Sequence, residues 1–211
     1  AKVIIDDSFY SCIDLICDKF NHLLALNDNQ ATLIEMIKKY DWYKTNNSDS
    51  LKLNAVYYNL NSPKYFSILG NKILRIAGSL WASPINTFKD GFTEFSIQEK
   101  NSIKLFFKKF KDQLSSNDVF KGVIKDYNVV ASFGTYAIGE LAHFLLSKHD
   151  ADISIIVNTK NKTVSFRRSK NCTVDVSLLA KKLCDGGGHA AAAGGKLTDR
   201  FATLTKQFTP C

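Results

Sequence analysis

The residues best suited to chemistry gather late in the chain, in "SFRRSK" (165–170) and "CDGGGHAAAAGGKL" (184–197). Of 11 glycines, five fall within ten residues, at 186–188 and 194–195, around the last histidine, His189. A linker would not need the histidine, and a packed helix would not want the glycines. Glycines can take φ > 0 and leave backbone N–H groups uncovered, while Ala190–Ala193 favour a short helix starting near His189. A glycine turn that feeds a helix N-terminus binds anions, because free N–H groups and the positive end of the dipole point the same way. His189 there would donate a hydrogen bond to a phosphate oxygen or carry a proton. Upstream, strand alternation sends Arg167 and Arg168 to opposite faces, so one of them could share that pocket. The competing reading is a joint between two helices with a surface histidine, and composition alone leaves both open.

The elements that must position these groups follow from periodicity. "NVVASF" reads as a strand, "YAIGELAHFLLSKH" as a helix, and "ADISIIVN" and "KTVSFRRS" as strands joined by the polar turn "TKNK". "DVSLLAKKLC" is a helix capped by Asp175 or Ser177 that stops at the glycines. This alternation predicts a compact α/β domain. His143 within the first of these helices reads as a core or pocket-wall residue, and His149 as a charge at its C-terminus. "SSND" (115–118) is the best linker in the chain and the expected boundary. Before it, Ile103, Phe106, Phe107, Phe110 and Leu114 share a helical face beside a lysine stripe at 100, 104, 108 and 111. Earlier still, Ile13, Ile16, Phe20, Leu23 and Leu24 mark one helix, and Leu33, Ile34 and Ile37 a second that runs toward "YDWYK". Residues 45–95 hold no clear period, apart from the turn signal "NTFKDGF".

Bulk composition narrows the function. The chain has 211 residues, 45% hydrophobic and 23% charged, with 3 prolines, which is globular composition. No run of 18 apolar residues exists, so no membrane-spanning helix is expected, and the first residues do not read as a signal peptide. The net charge of +8 favours polyanionic partners, nucleic acids above all. Five cysteines form no C-x-x-C pair, which argues against a disulfide framework or a zinc site. A reducing, intracellular setting follows, the cytoplasm or an organelle matrix.

"RS" at 168–169 followed by "VDVSLLAKKLCDGGGHAAAAGG" resembles the C-terminal, DHH-associated domain of the DHH phosphoesterases, whose signature is GGGHxxAAG. The resemblance covers roughly residues 118–211. It implies a domain that holds the terminal phosphate and sugar of a short nucleic acid or nucleotide. Carried over residue by residue, the substrate contacts would be Arg168, Ser169, Gly186, Gly187, Gly188 and His189. The first half is similar to the end of the catalytic domain in the oligoribonuclease-like branch. There the aspartate of a "YDxW"-like element is the last metal ligand, which makes Asp41 the catalytic and metal-ligating candidate. Here Trp42 follows that aspartate directly, a departure from the pattern.

The resemblance therefore implies a two-domain α/β protein. Residues 1–115 would be a mostly helical remnant of a DHH-like catalytic domain, and 118–211 the substrate-binding domain. Intact members use two manganese ions held by several aspartates and an Asp-His-His sequence to activate water. This chain contains no Asp-His-His; Asp6-Asp7 is a paired carboxylate, with no histidine nearer than His22. The chain thus reads as what remains when the first part of such an enzyme is removed. Its expected function is that of a manganese-dependent phosphodiesterase or exonuclease acting on short oligonucleotides or nucleotides, with these residues carrying mainly substrate binding. The alternative is an inactive module that binds nucleotides or nucleic-acid ends, as a subunit of a larger assembly. A third reading, an RNA-binding appendage like that of alanyl-tRNA synthetases, leaves residues 1–115 unexplained. Expected partners are a short single-stranded nucleic acid or nucleotide, together with the missing N-terminal part or a homodimer partner.

Overall fold

The computed structural model describes residues 12–20, 26–41, 48–60 and 91–211. The chain divides into two compact units, Ala1–Phe107 and Lys108–Cys211.

The described part of the first unit is helical: α1 (Cys12–Phe20), α2 (Asp28–Asp41), α3 (Ser48–Leu60) and the beginning of α4 (Ile97–Ser116). The start of α2 is fixed by a reciprocal cap. The Asn27 N–H donates to Gln30 Oε1 at 3.0 Å and the Gln30 N–H to Asn27 Oδ1 at 2.9 Å. Ser96 and Glu99 repeat the device at the start of α4, at 2.8 and 3.3 Å. Leu33, Met36, Ala55 and Val56 are buried on α2 and α3, and Lys38 on α2 meets Asp14 on α1 at 3.3 Å. On α4, Ile103 and Phe106 are buried as the period predicts, but Phe107 is 39% exposed. The apolar stripe is narrower than the sequence suggests.

The second unit is a seven-stranded sheet: β1 (Val119–Ile124), β2 (Tyr127–Phe133), β3 (Ile153–Asn158), β4 (Thr163–Arg168), β5 (Gly187–His189), β6 (Ala192–Lys196) and β7 (Thr209–Pro210). Its spatial order is β5-β6-β4-β3-β2-β1-β7. Every pairing is antiparallel except β2 with β3, which needs a crossover; α5 (Ile138–His149) provides it. Helices α6 (Val176–Cys184) and α7 (Asp199–Thr205) complete the unit.

Alternation divides the sheet into two cores. Ile153, Ile155, Val157, Val164, Phe166 and Ala193 pack with Val176, Ala180 and Cys184 of α6 and Phe201 of α7. On the other face Val130 and Ile156 meet Leu141, Ala142, Leu145 and Leu146 of α5, with Phe110 and Leu114 against them. β3 serves both cores and is buried at every position, which is why apolar residues fill four of its six positions on both faces, with Ser154 and Asn158 as buried polar exceptions.

Strands β2 to β4 and helices α5 and α6 stand where periodicity puts them. Asp175, not Ser177, is the N-cap of α6: it accepts from the Ser177 N–H at 2.8 Å and from its hydroxyl at 2.6 Å. The short helix expected from Ala190–Ala193 does not form. Residues 187–196 instead make the β5–β6 hairpin at the sheet edge. Alanine's preference for helix is a fraction of a kcal/mol per residue and yields to tertiary contacts. Here β6 pairs with β4 along five residues and buries Ala193 in the α6 core. Among the described residues, no helix is long and apolar enough to cross a membrane.

Candidate functional site

The glycines set the shape of the hairpin edge. Helix α6 ends at Asp185, in the left-handed region with φ 46°, and the Gly186 N–H returns to the Ala180 carbonyl at 3.2 Å. Gly188 has φ +145°, and a Cβ there would lie 2.6 Å from the Ala192 carbonyl oxygen and the Ala193 Cα. A Cβ at Gly186 would sit 2.0 Å from the Gly194 oxygen. These two positions need glycine because backbone passes close by. Gly187 differs: its φ is ordinary, and an added Cβ would meet nothing within 4 Å.

Register assigns each side chain a face. His189 pairs with Ala192, Ala192 with Arg167, and Arg167 with Ser154. Cross-strand partners point the same way, so these four form one row on the α5 side of the sheet. The parallel row on that side is Gly187, Gly194, Ser165 and Ile156. The hairpin thus presents a floor of two glycines and one alanine, walled by His189 on one side and by Arg167 on the other. Their Cα atoms are two strands apart, roughly 9–10 Å at the usual strand spacing. Exposed β5 is the edge strand, so alternate N–H groups along it point away from the sheet.

Helix α5 adds His143, half-buried beside this floor. Burial, with the Arg167 guanidinium and the Lys170 ammonium nearby, holds its pKa at about 4, so the imidazole is neutral near pH 7. Arg167 Nη1 donates to the Phe166 carbonyl at 2.9 Å. The region therefore gathers Arg167, Lys170 and the two imidazoles, an arrangement suited to an oxyanion.

The sequence-predicted contacts separate into two groups. Gly186, Gly187, Gly188 and His189 come together on the hairpin. Arg168 pairs with Ile153 and lies on the opposite, α6 side of the sheet. Its guanidinium donates to the Cys172 carbonyl, and its N–H donates to the Ala191 carbonyl at 3.1 Å. It also stands close enough to Asp175 to help the Ser177 hydroxyl hold that carboxyl below the usual range. The Ser169 N–H donates to the Asp152 carbonyl at 2.8 Å, and its own carbonyl accepts from the Cys172 N–H at 3.3 Å. Arg168 and Ser169 thus stitch the 169–175 loop, and Val176 completes it by donating to the Ala190 carbonyl at 3.0 Å. Arg167 was legible as one of two alternatives; only the pairing register shows that it shares the face of His189.

Other chemistry is sparse. Burial, followed by the Asp185 carboxylate, pushes the Cys184 thiol up to about 11, which leaves it inert. Cys17, Cys172, Cys184 and Cys211 are free thiols. Among the described residues, no three His, Cys, Asp or Glu side chains come together as metal ligands. Asp41 closes α2, but its side chain lies outside the described residues, as do Asp6, Asp7, His22 and Trp42.

The DHHA1 domain family matches residues 126–209. No curated protein sequence matches the chain. Among solved structures, it is similar to PggH of Vibrio cholerae, a pGpG-specific phosphodiesterase, with a TM-score of 0.50 and 15% identity over 92% of this chain and 69% of that one. An uncharacterized protein from Helicobacter pylori G27 gives a TM-score of 0.34 and 18% identity over 92% of this chain and 65% of that one. An exopolyphosphatase-related protein from Bacteroides fragilis gives 0.45 and 16% over 97% of this chain and 57% of that one. The chain thus spans about two thirds or less of these structures' lengths, and the likeness to PggH is one of fold. The DHHA1 match supports a DHH-family C-terminal domain over residues 126–209, and the glycine–histidine motif lies inside it.

Proposed function

We propose that this chain supplies the substrate-holding part of a DHH-type phosphoesterase. Its hairpin floor takes the terminal phosphate of a nucleotide or short oligonucleotide. The observation that carries the reading is the row His189–Ala192–Arg167 beside the glycines at 187 and 194. Arg167 is the arginine assigned to the phosphate, because it shares that row; Arg168 secures the loop that supports the hairpin tip. A guanidinium binds two phosphate oxygens at once, and His189 donates to a third from across Ala192. The alanine methyl between them keeps the gap open. The outward-pointing backbone N–H of the β5 edge adds a donor that needs no reorganisation.

DHH phosphoesterases carry divalent metal ions, two manganese ions in the reading above, which activate the attacking water and stabilise the phosphoryl charge. The described residues of this chain do not fit such a centre. Asp41 remains the proposed ligand by resemblance, and hydrolysis of short oligonucleotides remains the proposed activity of the whole enzyme.

Calorimetry with 5′-phosphorylated and unphosphorylated dinucleotides tests the proposal. The phosphorylated form should bind about tenfold or more tightly, the worth of at least one charge-assisted contact. That preference should vanish in Arg167→Ala and His189→Ala. Equal affinity for the two ligands in the wild-type chain refutes it.

A further inference from the structure

A cavity of about 340 Å³ opens at the other end of the sheet, where the parallel strands β2 and β3 finish. Its walls include Lys109 and Gln113 of α4, Phe133, Thr135 and Tyr136 at the end of β2, and Thr159 just past β3. It is separate from the hairpin floor. Arg167 pairs with Ser154, so Thr159 lies five residues further along, roughly 16 Å at strand rise.

Its groups suit one kind of ligand. Lys109 is the charged residue of the lining, which includes no carboxylate, so the cavity favours an anion. The Lys109 ammonium sits 5.5 Å from the Tyr136 ring centroid, which holds it over the pocket wall. Phe133 is 43% exposed, an apolar ring left at the cavity mouth although Phe120 packs against it edge-to-face. The Thr135 and Thr159 hydroxyls supply neutral donors and acceptors. The wall is also preformed. Gln113 Oε1 accepts from the Thr135 and Tyr136 N–H groups at 3.0 Å each, and its Nε2 donates to the Tyr136 carbonyl at 2.9 Å. Asn117 Nδ2 holds the Phe133 carbonyl. A rigid cavity costs little ordering on binding. Its volume is that of a small-ligand site, and the carboxyl ends of parallel strands are where α/β folds most often hold ligands.

We propose that this cavity is a second binding site, specific for a planar ring joined to an anionic group, the chemistry of a nucleoside monophosphate. The ring lies on Phe133, the phosphate meets Lys109, and the threonine hydroxyls take the sugar. The site does not depend on the hairpin reading.

The test uses the full chain, with backbone amide NMR recorded during titration with AMP, adenosine and inorganic phosphate. At millimolar AMP, the amides of 133–136 and 159 should shift, in the wild-type chain and equally in Arg167→Ala. Adenosine and phosphate should each require about tenfold more ligand, since each lacks half of the contacts. Lys109→Met should weaken AMP about tenfold without changing the melting temperature, because Lys109 is exposed. Phe133→Ser should weaken adenosine and AMP alike. Amides that stay still with AMP, an unaltered titration in Lys109→Met, or phosphate alone matching AMP would each overturn the assignment. Failure of the hairpin reading would show separately, as still amides at 186–189 in the same spectra.

Discussion

Gly187→Val separates binding from folding more sharply than any other single change. Gly187 is exposed, its backbone is not in the left-handed region, and a Cβ would enter open space above the α5 side of the hairpin. Valine favours extended backbone, so stability should change by no more than about 1 kcal/mol. The same isopropyl group would stand beside Gly194 and Ala192, in the volume assigned to phosphate oxygens. Displacing one charge-assisted hydrogen bond should cost about 1.5–3 kcal/mol, a loss of about tenfold to a hundredfold or slightly more in affinity. Gly188→Val is the control. It forces a β-branched residue to φ +145° and puts Cβ 2.6 Å from backbone, so the fold should suffer first. A loss of about 2–3 kcal/mol there lowers the melting temperature by roughly 10–20 °C for a unit of this size. Thermal melts and calorimetry with a 5′-phosphorylated dinucleotide read both variants. If Gly187→Val melts as early as Gly188→Val, or binds as well as the wild type, the open floor is not a binding surface.

Three further outcomes follow. Arg167→Ala should lose affinity for phosphorylated ligands with little change in melting temperature. Arg168→Ala should do the reverse, by about 1–3 kcal/mol, because the Cys172 carbonyl loses its half-buried charged donor; affinity and melting data on the pair decide between the two arginines. His143, depressed to about 4 when folded against 6.5 unfolded, binds its proton later than the unfolded chain does. Stability should therefore be full above about pH 6.5 and decline as pH falls toward 4. His149 shifts in the same direction and adds to the decline, so denaturant midpoints should fall less steeply with pH in His143→Gln. These 211 residues alone should leave a short oligonucleotide uncut with millimolar manganese. Manganese-dependent cleavage that disappears in Asp41→Ala would show a metal site among residues outside those described.

Much of the second unit was legible because one physical signal dominated each element. β3 is buried on both faces and carries Ile153, Ile155, Ile156 and Val157 within six residues; α6 has a cap, a period and a stop. The hairpin was not legible, because "GGHAAAAGG" has no period and alanine's local preference points to helix. Its strand state comes from pairing with β4, far away in sequence. β1, β7 and α7 were missed for a related reason. β7 is two residues long, and "DRFATLT" is short, although Thr198 caps it and Phe201 anchors it. The site was half legible. Composition located the stretch proposed to bind an anion, and alternation showed that only one arginine could face it. Choosing that arginine required the register of three strands. The expected helix dipole is replaced by an edge strand and side chains in one row. The expectations for Asp41 and Trp42 fall outside the described side chains.

The most direct test of the central claim is an amide NMR titration of the chain with a 5′-phosphorylated dinucleotide and its unphosphorylated counterpart. The account predicts shifts at Gly186–His189, Ala192 and Arg167 that follow the phosphorylated ligand and vanish in Arg167→Ala. Shifts of the same size with the unphosphorylated ligand, or none along the hairpin, would contradict it.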